Sequence, residues 1–416
     1  MALKFFGCHA NLLSTRKLVK VNNSIEKVRD LVTTTNLPSI ATFPQNSLQK
    51  GNWVKLICGA SFEDVADIRN LSLVYTLAGV DCIDCAADAA VVNAVNEGID
   101  AATAIFPIRR PWVMISVNDD QDLHFRKAEF HPDDCPIDCS RPCEIICPAN
   151  AISNQGVTTE RCYGCGRCFP VCPYDKIKAI SYVRDAAATS KLLERDNVDA
   201  LEIHTNGRQT SSFKELWNGL GDSVSHLSLV AVSLPCVGDS TVSMMNKLYS
   251  ILENNLCCLN LWQVCTILKN VLCTVHLSTN SWLPVVLCYG RPMSGDIGRG
   301  ATRESIAFAQ RLAFTKEKPP GFLQLAGGTN AHTVDGLRKL NLFQMPPFEN
   351  STASNSNALI GGIAYGGYAR KIVGRVLSGM QSEGGEIESD PDHLLMAVIQ
   401  AMTLVGGVKS YNITCS

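Results

Sequence analysis

The sequence predicts an α/β protein: a closed (β/α)8-like barrel of parallel strands carrying an inserted ferredoxin-like module. Three observations predict it. Eight short apolar runs alternate with segments of helical period, which is the pattern of repeated βα units. The runs are continuously apolar, as parallel strands covered on both faces require. After the third run the alternation stops for a stretch holding eight cysteines in 38 residues, and then resumes. The alternative that the same alternation permits is an open doubly wound sheet.

Each element has its own justification. W-V-K-L-I-C-G-A from Trp53 is a buried strand, followed over Phe62 to Ala78 by Val65, Ile68, Leu71 and Tyr75 at helical spacing. D-C-I-D-C-A-A from Asp81 is the second strand, with a helix over Ala89 to Gly98, and P-W-V-M-I-S-V from Pro111 the third. The cysteine-rich module fills 123–182. Beyond it come a helix over Ala186 to Arg195, a fourth strand from Ala200, a short helix over Phe213 to Leu220 and a fifth strand from Leu227. A helix over Ser240 to Leu252 precedes the sixth strand, C-C-L-N-L-W from Cys257. A helix over Ala301 to Phe314 leads to the seventh strand from Gly321. The eighth, from Ala358, runs into a helix over Tyr368 to Leu377. The barrel is therefore divided into a first part, 49–122, and a second part, 183–416.

Two segments stand apart. Residues 1–48 read as a transit peptide or an unordered arm: seven Lys or Arg through Lys50 face only Glu26 and Asp30, and no apolar run suits a secretory signal. The 26 residues 264–289 carry one charge, Lys269, and three cysteines, with no period that holds throughout. Lys269, Asn270, His276 and Asn280 interrupt them too often for a membrane span, so none is expected. They read as foreign to the fold, a translated retained intron, because the flanks join smoothly as strand, loop and helix without them.

The cysteine stretch carries the chemistry. From Cys162 the order C-Y-G-C-G-R-C-F-P-V-C-P has the C-x2-C-x2-C-x3-C-P spacing of bacterial-type ferredoxins, in which the fourth cysteine serves the other cluster. Three thiolates on one tight loop reach three irons of a cube, and the fourth iron is reached from a separate turn. Cys162, Cys165 and Cys168 are thus paired with Cys147, and Cys135, Cys139 and Cys143 with Cys172. The expected cofactors are two iron–sulfur clusters of the [4Fe-4S] type. The first group is spaced C-x3-C-x3-C-x3-C, which leaves its nuclearity open between [4Fe-4S] and [3Fe-4S]. A pair of zinc sites is the alternative use of two cysteine quartets, though the doubled Cys-Pro favours iron. Nineteen cysteines in 416 residues with this clustering point to a reducing compartment. A net charge of -2 argues against a broad nucleic-acid surface.

Other candidates are weaker. Gly327-Gly328 and Gly361-Gly362 sit at the expected ends of the last two strands, where barrels commonly hold phosphate. With Arg299 they suggest a site for FMN or another phosphate-bearing ligand, against the plainer reading of glycine pairs as tight turns. Arg291, Arg299 and Arg303 share one glycine-rich loop, which reads either as a clamp for a carboxylate or phosphate or as a structural network in which Asp296 and Glu304 neutralise them. Cys82 and Cys85 form C-x2-C at the end of the second strand, either a redox dithiol or two small buried residues. His204 closes the fourth strand. No Ser-His-Asp order, H-E-x-x-H or phosphate-loop motif is present, so catalytic residues are not assigned.

The run D-C-S-R-P-C-E-I-I-C-P-A-N-A-I from Asp138 and R-C-Y-G-C-G-R-C from Arg161 accompany G-D-I-G-R-G-A-T-R-E-S from Gly295 and I-G-G-I-A-Y-G-G-Y-A-R-K from Ile360. Together they resemble the light-dependent period (LdpA) family of cyanobacteria and plant plastids, over Gly51 to Ser410 apart from 264–289. The resemblance implies an iron–sulfur protein that senses redox state and relays it, in cyanobacteria, to the circadian clock. It also implies a chloroplast stroma location for a plant homologue and an unidentified protein partner. It establishes no catalysed reaction. The alternative is a flavin- or phosphometabolite-binding barrel oxidoreductase fed by its own ferredoxin module.

Overall fold

A computed structural model describes residues 25–35, 42–207, 209–235, 238–265, 273–276, 282–285, 300–343, 359–380 and 385–411. Helix α1 spans 25–35 and α2 Pro44–Lys50. The first barrel part is β1 (Trp53–Gly59), α3 (Val65–Leu77), β2 (Cys82–Ala86), α4 (Ala89–Ile105) and β3 (Trp112–Asn118). The module holds β4 (Arg126–Glu129), α5 (Pro142–Ile146), β5 (Ile152–Ser153), β6 (Gly156–Val157) and β7 (Lys178–Ser181). The barrel resumes with α6 (Ala186–Leu193), β8 (Ala200–His204), α7 (Thr210–Leu220), β9 (Leu229–Pro235), α8 (Ser240–Leu252) and β10 (Leu259–Cys265). Next come the small strands β11 (Cys273–His276) and β12 (Trp282–Val285). The chain ends with α9 (Ala301–Phe314), β13 (Phe322–Leu325), α10 (Thr333–Lys339), β14 (Gly362–Tyr365), α11 (Gly367–Leu377) and α12 (Pro391–Lys409).

Strands β1, β2, β3, β8, β9, β10, β13 and β14 follow one another in chain order and close into a barrel, every neighbour parallel. Closure is the β1–β14 pairing, from Trp53 opposite Gly362 to Leu56 opposite Tyr365, and it rules out the open sheet. Gly362 is required there, because a Cβ would lie 2.2 Å from the Trp53 carbonyl oxygen.

Strand alternation divides the side chains. Outward residues such as Val54, Leu56, Ile83, Val113, Leu201, Val230, Leu323 and Ile363 pack under the helices as one large apolar cluster. Inward residues form layers along the barrel. Leu48, Trp53, Cys82, Met114, Ala200, Ala231 and Leu261 plug the end where the strands begin. One step up, the interior turns polar: Lys55, Asp84, Ser116, Glu202, Ser233, Gln263 and Gln324, all buried. Ile57, Ala326 and Ala364 lie above them.

Several expectations are corrected in detail. Helix α4 runs to Ile105 rather than stopping near Gly98. Gly98 is not a stop signal: its missing side chain lets α3 approach, since a Cβ would lie 2.2 Å from the Arg69 carbonyl oxygen. Helices α10 and α12 are additional to the elements the sequence pattern predicts. Helix α12 is long and apolar enough to cross a bilayer, yet it is a core helix here, with Leu394, Val398, Met402, Val405 and Val408 buried. The ordered chain also reaches back before residue 49. Helix α1 buries Val28, Leu31 and Val32 in the main core, and α2 supplies Leu48 to the barrel plug. Of the stretch 264–289, its first two residues complete β10, with Val264 opposite Leu325 and Cys265 opposite Pro235. Strands β11 and β12 pair antiparallel, and the rest lies outside the described residues.

At the plugged end one carboxylate joins three elements and a loop. Asp81 accepts hydrogen bonds from Ser47 Oγ at 2.8 Å and the Val54 amide at 2.8 Å, and pairs with Arg109 at 3.2 Å and with Lys409 of α12. It is wholly buried.

Candidate iron–sulfur centres and the barrel mouth

The module leaves the barrel after β3, at the end where the strands finish, and Asn118 clamps its neck. The Asn118 side-chain amide donates to the Tyr182 carbonyl at 2.8 Å, and its oxygen accepts from the Arg184 amide at 3.0 Å. Strands β4 and β7 pair antiparallel, bringing the two ends of the insertion together. Glu63, in the loop after β1, docks the module through Lys127 at 2.7 Å and Arg184 at 2.9 Å.

The eight cysteines sort into two groups in space. Cys147, Cys162, Cys165 and Cys168 line one cavity together with Pro148, Gly164, Gly166 and Phe169. The electrostatic neighbours of Cys168 are Cys165, Cys162 and Cys147, while those of Cys143 are Cys172 and Cys135, and Cys135 also faces Cys139. This is the crossed arrangement that the spacing implies. Burial, then the adjacent thiols, push Cys168 up to about 12. Burial likewise raises Cys165, Cys143 and Cys135, with neighbouring sulfurs adding to it. Thiols packed this closely resist ionising together unless cations sit among them, so the donor set fits a metal-rich group.

The backbone favours thiolate as well. The amides of Ala128, Ala151 and Lys176 donate to Cys162, Cys147 and Cys172 sulfurs at 3.3, 3.3 and 3.4 Å. Burial disfavours ionised Cys172, but the amides of Lys176, Tyr174, Ile177 and Asp175 outweigh it and hold this thiol below its ordinary value. Gly164 makes the tight loop possible. It has φ +65°, and a Cβ there would lie 2.1 Å from the Arg126 carbonyl oxygen. The Arg126 guanidinium donates back to the Gly164 carbonyl at 2.8 Å and lies over the Phe169 ring.

The groups face different surroundings. Ile137 and Ile145, beside the first group, are strongly exposed, as is Tyr174 next to Cys172. The second group faces the barrel. Tyr163, between Cys162 and Cys165, packs edge-on to Phe62 and lies under the Arg370 guanidinium at 4.4 Å. Arg370, on α11, also donates to the Ile57 and Cys58 carbonyls at the end of β1.

Tyr163 and Arg167 line both the cysteine cavity and a second cavity of about 280 Å3 in the barrel mouth. Its floor is the polar layer. Lys55 pairs closely with Glu202 and lies 3.6 Å from Asp84. Glu202 also accepts from Gln263 at 2.5 Å and faces His204 at 3.0 Å. Ser116 donates to Asp84 at 2.7 Å. Burial works against charge on Lys55, but Glu202 and Asp84 raise it to about 12. Burial opposes ionised Glu202 too, and Lys55 and His204 overcome it, holding this carboxyl well below its usual range. Asp84 is driven the other way, to about 7, by burial and by Glu202 against the pull of Lys55.

The remaining candidates part company. Gly327 and Gly328 do line the mouth, with φ +72° and +69°. Gly361 and Gly362 do not: they lie at the opposite end of β14, in backbone contact with Leu323 and Trp53. The glycines that reach the mouth are Gly366 and Gly367, at the start of α11 with Arg370 and Lys371. Arg291, Asp296 and Arg299 lie outside the described residues. Arg303 and Glu304 are exposed on α9. Cys82 and Cys85 are not a dithiol at the rim. Three positions apart on a strand, they face opposite sides, Cys82 into the barrel plug and Cys85 under the helices. Both are wholly buried, and burial raises both thiols well above the ordinary value. Lys55, Asp84 and Glu202 have no signature in the sequence, because a lone charge in an apolar run gives no signal until the barrel closes around it.

Comparison with known proteins agrees with this geometry. Residues 135–183 match the "LdpA Fe-S cluster-binding domain", and residues 192–266 and 271–407 match the "Light dependent period A C-terminal domain". "Light dependent period A" of Synechococcus elongatus is 41% identical over 369 residues, covering 89% of this chain and 94% of that protein. The chain is therefore an iron–sulfur protein belonging to the light dependent period A family.

Proposed function

We propose that this chain carries two [4Fe-4S]-type clusters and works as a redox relay or sensor in the chloroplast stroma. Cys135, Cys139, Cys143 and Cys172 would hold one cluster, and Cys147, Cys162, Cys165 and Cys168 the other. When bound, such clusters take up and release single electrons at potentials set by hydrogen bonds to sulfur and by exposure. The observation that carries the reading is the sorting of eight cysteines into an outer quartet beside exposed Ile137, Ile145 and Tyr174 and an inner quartet against the barrel mouth. The exposed side chains beside the outer quartet support electron exchange there with a protein partner, and the contact of the inner quartet with the barrel mouth supports passing the change to the barrel. Protein purified anaerobically should bleach reversibly on dithionite reduction, with roughly eight irons per chain from two four-iron cubes. EPR then reads the nuclearity of the cluster in the stretched first quartet. Absence of reversible bleaching defeats the proposal.

A second reading is favoured by the wall that Tyr163 and Arg167 share between the two cavities. In it the mouth binds FMN or a phosphorylated metabolite, with Gly327, Gly328, Gly366 and Lys371 toward its anionic end, and the protein is an oxidoreductase. Flavin or a phosphorylated compound released on denaturing the holoprotein would support it, and holoprotein free of both would exclude it.

A further inference from the structure

We propose that Asp122, His124 and His204 form a binding site for one divalent first-row transition metal ion in the barrel mouth, separate from the cysteine clusters.

The three residues come from two places that the fold joins. Asp122 and His124 lie in the segment between β3 and β4, and His204 ends β8, the first barrel strand after the module. Parallel pairing sets Asn118 opposite His204, and the chain after Asn118 folds back over that strand end. One ligand atom from each residue lies within 4.8 Å of the other two. Nitrogen and oxygen donors sit about 2.0–2.2 Å from a zinc-like ion, so donors sharing one ion stand about 3 to 4.2 Å apart. The trio needs only small side-chain adjustments to close on an ion. Asp122 Oδ1 and His124 Nδ1 are already 2.8 Å apart, and the two imidazole rings are 5.1 Å apart between centroids.

The donor set and its surroundings suit a metal. Two imidazoles and one carboxylate are the ligands that zinc and ferrous iron share in sites that leave coordination positions open. His204 has Glu202 behind it, 3.0 Å from Nε2. A carboxylate in that position orients a metal-bound imidazole and strengthens it as a donor. Glu202 is itself held by Lys55 and Gln263, and the Phe125 ring packs edge-on against His204. Asp122 and His204 are buried while His124 is partly open. Both histidines line the 280 Å3 cavity, so the open positions of the ion would face that space. They would receive water or an oxygen of a small anionic ligand. Three protein ligands from one strand end and the loop after another, at the face where the barrel strands finish and with solvent access on one side, is the arrangement of a reactive rather than a structural ion.

The test uses the full-length protein with its clusters intact. Zinc chloride is added anaerobically, free metal is removed by desalting, and zinc, iron and sulfide are measured per chain. The wild type should retain about one zinc while cluster iron and visible absorbance stay unchanged. His124→Ala and Asp122→Asn should each cut retained zinc at least roughly tenfold with the cluster absorbance intact, as loss of a ligand does. His226→Ala, an exposed histidine away from the mouth, should retain as much as the wild type. The proposal is overturned if the wild type retains no zinc beyond the clusters, or if His124→Ala and Asp122→Asn retain as much as the wild type. Iron and absorbance report separately on the clusters, so a failed metal site is not confused with a failed module.

Discussion

Asp84 and Glu202 face the same lysine, and their environments push them apart. Glu202 is the better partnered, and burial with Glu202's charge leaves Asp84 at about 7. A carboxyl raised in the folded state contributes most below its ordinary value of 3.8 and loses that contribution as pH rises toward about 7. Glu202 has the opposite sign: its contribution is present above the ordinary carboxyl value and disappears as pH falls through its lowered one. Asp84→Asn should therefore flatten the decline in stability between about pH 4 and 7, measured by denaturant unfolding, without changing cluster content. Among the cysteines, Cys165→Ser and Cys139→Ser should each remove one cluster and about half the iron, with different EPR signals lost from the two variants. Gly164→Ala should disturb the inner cluster alone, because its Cβ would collide with the Arg126 backbone at 2.1 Å. The grouping of the cysteines in space was legible from spacing. The role of Gly164 was not, since its constraint comes from Arg126, 38 residues earlier in the chain.

The inserted module has little apolar material of its own. Its core is Ala128, Ala151, Ile152 and Ile177 around Cys143, Cys162 and Cys168. Clusters held there would supply much of what the module packs around, so metal binding and folding are coupled. Chelation of iron should expose the module to limited proteolysis between β4 and β7 while the barrel keeps its far-ultraviolet circular dichroism and its unfolding midpoint. Loss of both together would show that the barrel depends on the clusters. Strand β10 makes a similar point about 264–289. Five of its seven residues, Leu259 to Gln263, lie before that stretch, and the last two take part through backbone pairing. A chain lacking 264–289 should retain the wild-type iron content and thermal midpoint if the stretch is foreign to the barrel. Helix boundaries were less legible than strand cores. Gly98 looks like a terminator in sequence, and only the approach of α3 explains why α4 passes through it.

Across the whole molecule, the two ends of the barrel have different tasks. The end where strands begin is closed by Trp53, Met114 and Leu261 and joined by Asp81 to Ser47, Arg109 and Lys409. It is a stability face. Asp81→Ala leaves Lys409, buried at 1% side-chain exposure, without its carboxylate. It should cost about 3–5 kcal/mol in denaturant unfolding, as breaking a buried pair from one side does. Its effect on iron–sulfur reduction should be slight, because the cysteine module lies at the other end. That other end gathers the inner quartet, Tyr163 and the polar floor around one cavity.

The eight strands, their parallel barrel, the site of the insertion and the crossed grouping of its cysteines follow from the order of residues alone. These rest on local period and short spacing, which backbone geometry converts directly into structure. Which glycines reach the mouth, the turning apart of Cys82 and Cys85, and the meeting of Lys55, Asp84 and Glu202 emerge with the folded barrel. Those outcomes depend on barrel closure, which brings together side chains from strands far apart in the chain and assigns each inward residue a height along the axis.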